Sequence, residues 1–190
     1  IAERYPDVDL INGVGNFEQL LDALEAREGL VPIGRPEDAR YEGLADRPLL
    51  TPSHLAFVKI SEGCNYRCSF CRIPFIRGNQ ISRPVADLVS EVRGLVDRGV
   101  SEVMLVSQNS SDYGRGTGED LLDLVTALDE IDGLERLRLH YLFPGLIATD
   151  RFRRILDTSG VAPYVDMPVQ HASPRILERM SRPFDPAALT

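Results

Sequence analysis

The only three cysteines of this 190-residue chain, Cys64, Cys68 and Cys71, fall in one eight-residue stretch, Cys64-Asn-Tyr-Arg-Cys-Ser-Phe-Cys71, directly after an apolar, strand-like run. Three thiolates in one loop can hold an iron-sulfur cubane by three of its irons and leave the fourth open for chemistry. Other thiol chemistries fit less well. A disulfide framework wants an even number of cysteines spread through a small secreted chain. Structural zinc normally closes its tetrahedron with four Cys or His ligands in paired short spacings. The nearest histidines, His54 and His140, lie in strand-like runs and offer no such pairing. A zinc-binding structural module and redox-sensing thiols remain the alternatives.

Further polar groups stand where other apolar runs stop. Ser107-Gln-Asn-Ser-Ser-Asp-Tyr-Gly114 packs amides, hydroxyls and an acid, with Gln108 and Asn109 at its head. His140-Tyr-Leu-Phe-Pro144 follows a third run and Pro168-Val-Gln-His-Ala-Ser173 a fourth, with Gln170 and His171 inside it. The arginines Arg67, Arg72, Arg77 and Arg83 surround the cysteines in sequence, most of them expected to be solvated. Polar residues populate loops in any protein. Their meaning depends on whether the fold gathers these loops on one rim.

The pattern of elements predicts that it does. Strands are expected at Leu55 to Ile60, Glu102 to Val106, Leu137 to Leu142 and Tyr164 to Met167. Between and after them lie helical patterns at Pro84 to Arg98, Asp120 to Ile131, Asp150 to Leu156 and Pro174 to Met180, the last with Ser173 as its cap. Alternating strands and helices imply a parallel α/β sheet with right-handed crossovers. Ligands collect at the carboxyl ends of such strands. Ahead of this unit, Val8 to Val14 reads as a short strand, Phe17 to Arg27 as a helix capped by Asn16, and Pro32 to Pro52 as a linker rich in proline and glycine. Residues 1–48 thus read as the end of a preceding α/β domain plus linker, and 49–190 as the start of the domain that carries the cysteines.

Composition suits an intracellular enzyme with one ordinary core: 43% of residues are hydrophobic and 26% charged. No apolar run approaches a membrane span and no basic, apolar signal segment opens the chain, so neither membrane nor secretion is expected. Thiols kept for a cluster suit the reducing cytoplasm. The formal charge of −8 opposes direct nucleic-acid binding, which needs clustered positive charge, and suits a basic partner such as a ribosomal protein. The chain begins with Ile1 and reads as a fragment.

The spacing C-x3-C-x2-C resembles that of radical S-adenosylmethionine (SAM) enzymes. KISEGCNYRCSFCRIPFIRG (Lys59 to Gly78) with Ser82-Arg-Pro84 resembles their methylthiotransferase family. LVSQNSSDYG (Leu105 to Gly114), RLHYLFP (Arg138 to Pro144) and MPVQHASPRIL (Met167 to Leu177) are similar to the branch that modifies ribosomal protein S-twelve. The tRNA-modifying branch is alike around the cysteines but usually carries Gly-Gln-Asn-Val after the second strand, which makes a tRNA adenosine methylthiotransferase the alternative. The superfamily's glycine-glycine-glutamate motif is replaced here by Ser107-Gln-Asn109.

The resemblance implies part of an open six-unit (βα) barrel and a 4Fe-4S cluster on Cys64, Cys68 and Cys71 with SAM chelating the fourth iron. The backbone of Phe70 would meet the adenine, Gln108 and Asn109 would bind cofactor or substrate, and Gln170 and His171 would face the substrate. It implies methylthiolation of the β-carbon of an aspartate of S-twelve on the small ribosomal subunit. An electron donor such as flavodoxin or ferredoxin and a second 4Fe-4S cluster in the family's N-terminal domain are also implied. The family's C-terminal TRAM domain has no counterpart in this chain, and the fragment alone is expected to be inactive.

Overall fold

The computed structural model describes residues 2–13, 19–26, 46–182 and 184–189. Pro6 and Asp7 form a turn closed by the Val8 N–H on the Tyr5 carbonyl (3.2 Å), so the strand expected from Val8 does not form; a single bridge residue, Ile11, is all the extended pairing in residues 8–13. Helix α1 (Leu20–Ala26) occupies part of the helix expected over Phe17 to Arg27. It buries Ala23 while Leu21 and Leu24 face solvent. Asn16, Phe17, Arg27 and the linker as far as residue 45 lie outside the described residues.

The central sheet begins with β1 (Leu55–Lys59). A two-residue antiparallel pair, β2 (Ser61–Glu62) and β3 (Ile81–Ser82), follows it and encloses the cysteine loop with its short helix α2 (Ile73–Ile76). Helix α3 (Val85–Asp97) crosses back to β4 (Glu102–Val106), and α4 (Leu121–Asp129) to β5 (Arg136–Leu139). The three long strands are parallel in the order β1, β4, β5, with Ala56 opposite Val103 and Val103 opposite Leu137. This is the expected open, parallel α/β sheet. Helices α5 (Asp150–Leu156) and α6 (Pro174–Arg179) complete the described elements.

Alternation along the strands separates the two faces of the sheet. Val58, Val103, Leu105, Leu137 and Leu139 are fully or almost fully buried and belong to one core with Leu88, Val92, Leu124 and Leu128 of α3 and α4. The alternate residues, Phe57, Lys59, Met104, Val106 and Arg138, are only partly covered. That face carries polar groups, among them the Arg138–Glu102 pair between neighbouring strands. Asp120 caps α4 in a reciprocal capping box with Asp123, and Thr149 caps α5.

Two further expectations fail. Tyr164 to Met167 does not form a fourth ladder strand. Just ahead of it Val161 makes one parallel bridge to Leu137 of β5, and within it the Asp166 carbonyl accepts the Leu142 N–H beyond the end of β5 (3.0 Å). Tyr164 and Val165 are consequently exposed. Ser173 stands at the N-cap of α6, but its side chain accepts no capping bond. Among the described residues, no helix is long and apolar enough to cross a membrane.

Candidate functional site

The cysteine loop leaves β1 through Ile60, whose N–H donates to the Val106 carbonyl of β4 (3.0 Å). Gly63 then takes a positive φ of 82°. A Cβ there would lie 2.4 Å from the Asn79 carbonyl oxygen and 2.8 Å from that of Gly78. Only glycine permits this approach, and it brings the Cys64 N–H onto the Gly78 carbonyl at 3.2 Å. Glu62, almost wholly buried, pairs with Lys59 and with Arg77 (2.9 Å), tying strand end to loop end. Burial raises the Glu62 carboxyl, but the bonds and charges of Lys59 and Arg77 outweigh it and hold the group below its ordinary value.

The three thiols are free; Cys68 is buried, and Cys64 and Cys71 are partly exposed. Burial pushes the Cys64 thiol up, a backbone bond at Tyr66 opposes this, and the negative charges of Cys68 and Cys71 raise it further. Three neighbouring thiolates therefore repel unless a cation compensates them. Among the described residues, no three His, Cys, Asp or Glu side chains close on a single metal ion. Cys71 donates its N–H to the Cys68 carbonyl (3.0 Å), and Arg67 bonds the Cys64 carbonyl (3.0 Å) and Asn79 Oδ1 (2.5 Å).

The loop is also held from the far end of the chain. Ser69 donates its N–H to the Met180 carbonyl (2.9 Å) and its hydroxyl to the Arg179 carbonyl (3.1 Å), docking the cysteines on the end of α6. Arg182, 8% exposed, sets Nη1 3.9 Å from Cys68 Sγ and donates through Nη2 to the Pro168 carbonyl. Its guanidinium lies 4.8 Å from the Phe143 ring centroid, and Phe143 stacks on Tyr66 at 4.3 Å with 12° between planes.

The loop after β4 is brought beside the cysteines. Gln80 Nε2 donates to the Asn109 carbonyl and to Ser61 Oγ, both at 3.1 Å. Asn109 accepts the Ser111 N–H on Oδ1 (3.2 Å), which spends that oxygen on a cap and leaves its amide nitrogen over. Ser110 bridges Ser107 Oγ (3.0 Å) to the His140 carbonyl (2.6 Å), and Ser111 Oγ accepts the Phe143 N–H (2.7 Å). The loops after β1, β4 and β5 thus share one rim. His140 Nδ1 meets Asp166 Oδ2 at 2.8 Å.

Among the described residues, four buried polar atoms without a hydrogen-bond partner, Gln80 Oε1, Gln108 Oε1, Asn109 Nδ2 and His140 Nε2, lie in these loops; Arg182 Nε, after α6, is another, and Asn12 Oδ1 lies apart from them. Buried polar groups are otherwise almost always paired. The four along the rim offer donors and acceptors to a polar ligand or to water. Phe70 stands 52% exposed beside Cys71. Gln170 takes φ 71°, and exposed His171 turns inward on its own loop, accepting the Ser173 N–H on Nδ1 (2.9 Å).

Arg67 and Arg72 are exposed and Arg77 is partly so, as expected, while Arg83 is not, and each has a partner. Arg83 is buried on Glu91 (2.6 Å) and on the Lys59 carbonyl (2.9 Å), Arg77 holds Glu62, and Arg72 sits 5.5 Å from the Phe75 ring centroid. Sequence reasoning missed Arg182, Asp166 and the Tyr66–Phe143 stack. Arg182 follows a helix like any other arginine. Tyr66 lies inside the cysteine motif and Asp166 inside the expected strand Tyr164 to Met167, but nothing in their spacing points to Phe143 or His140.

Comparison with known proteins agrees with this geometry. The sequence profile of the Radical SAM superfamily matches residues 58–188. Curated relatives named ribosomal protein uS12 methylthiotransferase RimO include those of Desulforamulus reducens (38% identical, covering 96% of this chain and 42% of the relative) and Thermus thermophilus (39%, 96% and 43%). That of Crocosphaera subtropica is 33% identical, with 97% and 43% covered. The chain therefore spans about two fifths of the length of these relatives. Among solved structures it resembles TsrM, a radical SAM methyltransferase from Kitasatospora setae, with a TM-score of 0.56 and 23% identity over 72% of this chain and 27% of that one. Loop, sheet and profile coincide over the same residues: the chain belongs to the Radical SAM superfamily.

Proposed function

We propose that this chain is the radical-generating part of a methylthiotransferase that modifies the β-carbon of an aspartate in ribosomal protein uS12. The observation that carries the reading is the likeness to RimO relatives along 96% of the chain. In this reading residues 1–48 belong to a preceding domain with its linker, and 49–190 to the radical SAM domain. The enzyme works in the cytoplasm on the small ribosomal subunit. It receives electrons from a flavodoxin or ferredoxin, and a second 4Fe-4S cluster is held by residues outside this chain.

Cys64, Cys68 and Cys71 would hold a 4Fe-4S cluster, and the donor set fits it. Thiolates are the ligands of such clusters, and burial, with the neighbouring sulfur charges adding to it, pushes the Cys64 thiol up, a penalty on the thiolate that bound iron would offset. When bound, the cluster and SAM supply the electron and the radical that remove hydrogen from an unactivated carbon, chemistry no side chain offers. The chain's own residues bind, orient and exclude water. Phe70 presents its backbone to the adenine. Gln108 through Oε1 and Asn109 through Nδ2 offer an acceptor and a donor that have no protein partner. Gln170 and His171 stand on the substrate side.

The test is a strain lacking the gene. Mass spectrometry of digested uS12 and of digested tRNA is expected to find the methylthio group missing from the aspartate and tRNA unchanged. Loss from tRNA adenosine with intact uS12 modification would overturn the proposal.

A further inference from the structure

We propose that Arg182 is a positioning residue for the cluster: its buried guanidinium stands against the Cys68 sulfur and raises the reduction potential of the cluster bound there. This rests on the cluster reading above and adds to it a residue more than one hundred positions from the cysteine motif.

Arg182 is 8% exposed and its guanidinium permanently charged. A buried cation needs a counter-charge or its full complement of hydrogen bonds. Among the described residues, its polar partners are the Pro168 carbonyl and Cys68 Sγ, with the Phe143 ring against it. None of these is a carboxylate, and Nε is left without a partner. The one partner able to carry the missing negative charge is the sulfur. A thiolate bound to iron supplies it; a neutral thiol does not.

Support for the sulfur comes from two sides. Cys68 is the most buried of the three cysteines, and the next residue is pinned by Ser69 to the end of α6, two and three residues before Arg182. A fixed cation at the ligand sulfur, in a place water reaches poorly, favours the more negative, reduced cluster. The expected sign is a higher potential in the presence of the arginine.

The experiment is an anaerobic redox titration followed by electron paramagnetic resonance. It compares the reconstituted parent chain with Arg182→Met, Arg182→Gln and Arg182→Lys, with iron and sulfide measured in each. At equal iron content, Met and Gln are expected to shift the midpoint to more negative potential, and Lys to stay near the parent. If the neutral variants lose the cluster while Lys keeps it, the charge is what holds Cys68, which supports the proposal. Midpoints of Met and Gln equal to or above the parent's overturn it. So does equal cluster loss in Lys, Met and Gln, which would mark Arg182 as packing alone. A parent chain that binds no iron would instead overturn the cluster reading beneath it.

Discussion

Replacing Gly63 by alanine tests how the cysteine loop is built. At φ 82° the new Cβ brings the steric cost of the left-handed region, about 1 to 2 kcal/mol. It would also stand 2.4 Å from the Asn79 oxygen and 2.8 Å from the Gly78 oxygen, inside the 3.0 Å that real Cβ atoms keep. Both obstacles are backbone, so relief means moving the 78–79 segment and breaking the Cys64 N–H bond to Gly78, worth about 1 kcal/mol. Gly99 provides the control: its φ is 94°, but an added Cβ meets nothing within 4 Å. Gly63→Ala should therefore cost about 3 kcal/mol, and Gly99→Ala about 1 kcal/mol, near the lower end of the backbone cost alone. Denaturant unfolding of the two variants and the parent, at equal slope, reads the difference directly. A Gly63→Ala variant no less stable than Gly99→Ala would refute the close packing of β2, β3 and the loop between them.

Three further substitutions probe the surroundings. Glu91→Ala removes the acid that faces Arg83 (2.6 Å, both nearly buried) and Arg47, and is expected to cost about 3 kcal/mol in denaturant unfolding. Tyr113→Phe deletes a buried hydroxyl bonded to the Arg83 carbonyl (2.6 Å) and should cost about 1 kcal/mol by the same measurement. Glu62 is held below its ordinary value of 4.5, so its contribution is complete above that value and lost as pH falls through the lowered one. Glu62→Gln should thus be less stable than the parent at pH 7 and lose less stability on acidification below about pH 4.5; parallel pH profiles for the two proteins would contradict the pairing with Lys59 and Arg77.

Much of the scaffold could be read from local pattern. The expected strand Glu102 to Val106 and helix Asp150 to Leu156 coincide with the observed elements end to end. These segments bury one face in a single core, and burial is what writes periodicity into a sequence. Tyr164 to Met167 carries strand-forming residues without a partner strand beside it, and pairing is a long-range property that composition does not record. β2 and β3 are two residues each and eighteen residues apart, too short for any alternation to appear. The candidate site divides the same way. Cysteine spacing and the polar loops were legible because their chemistry is local. The contact of Arg182 with Cys68 joins residues 114 positions apart and leaves no trace in either segment.

The most direct measurement is electron paramagnetic resonance of the anaerobically reconstituted, reduced chain, before and after SAM is added. The expected result is the signal of a reduced 4Fe-4S cluster that changes on binding SAM, and its loss when Cys64, Cys68 or Cys71 is replaced by alanine. Stoichiometric zinc without iron, or an iron-sulfur signal indifferent to SAM and to those three cysteines, would contradict it.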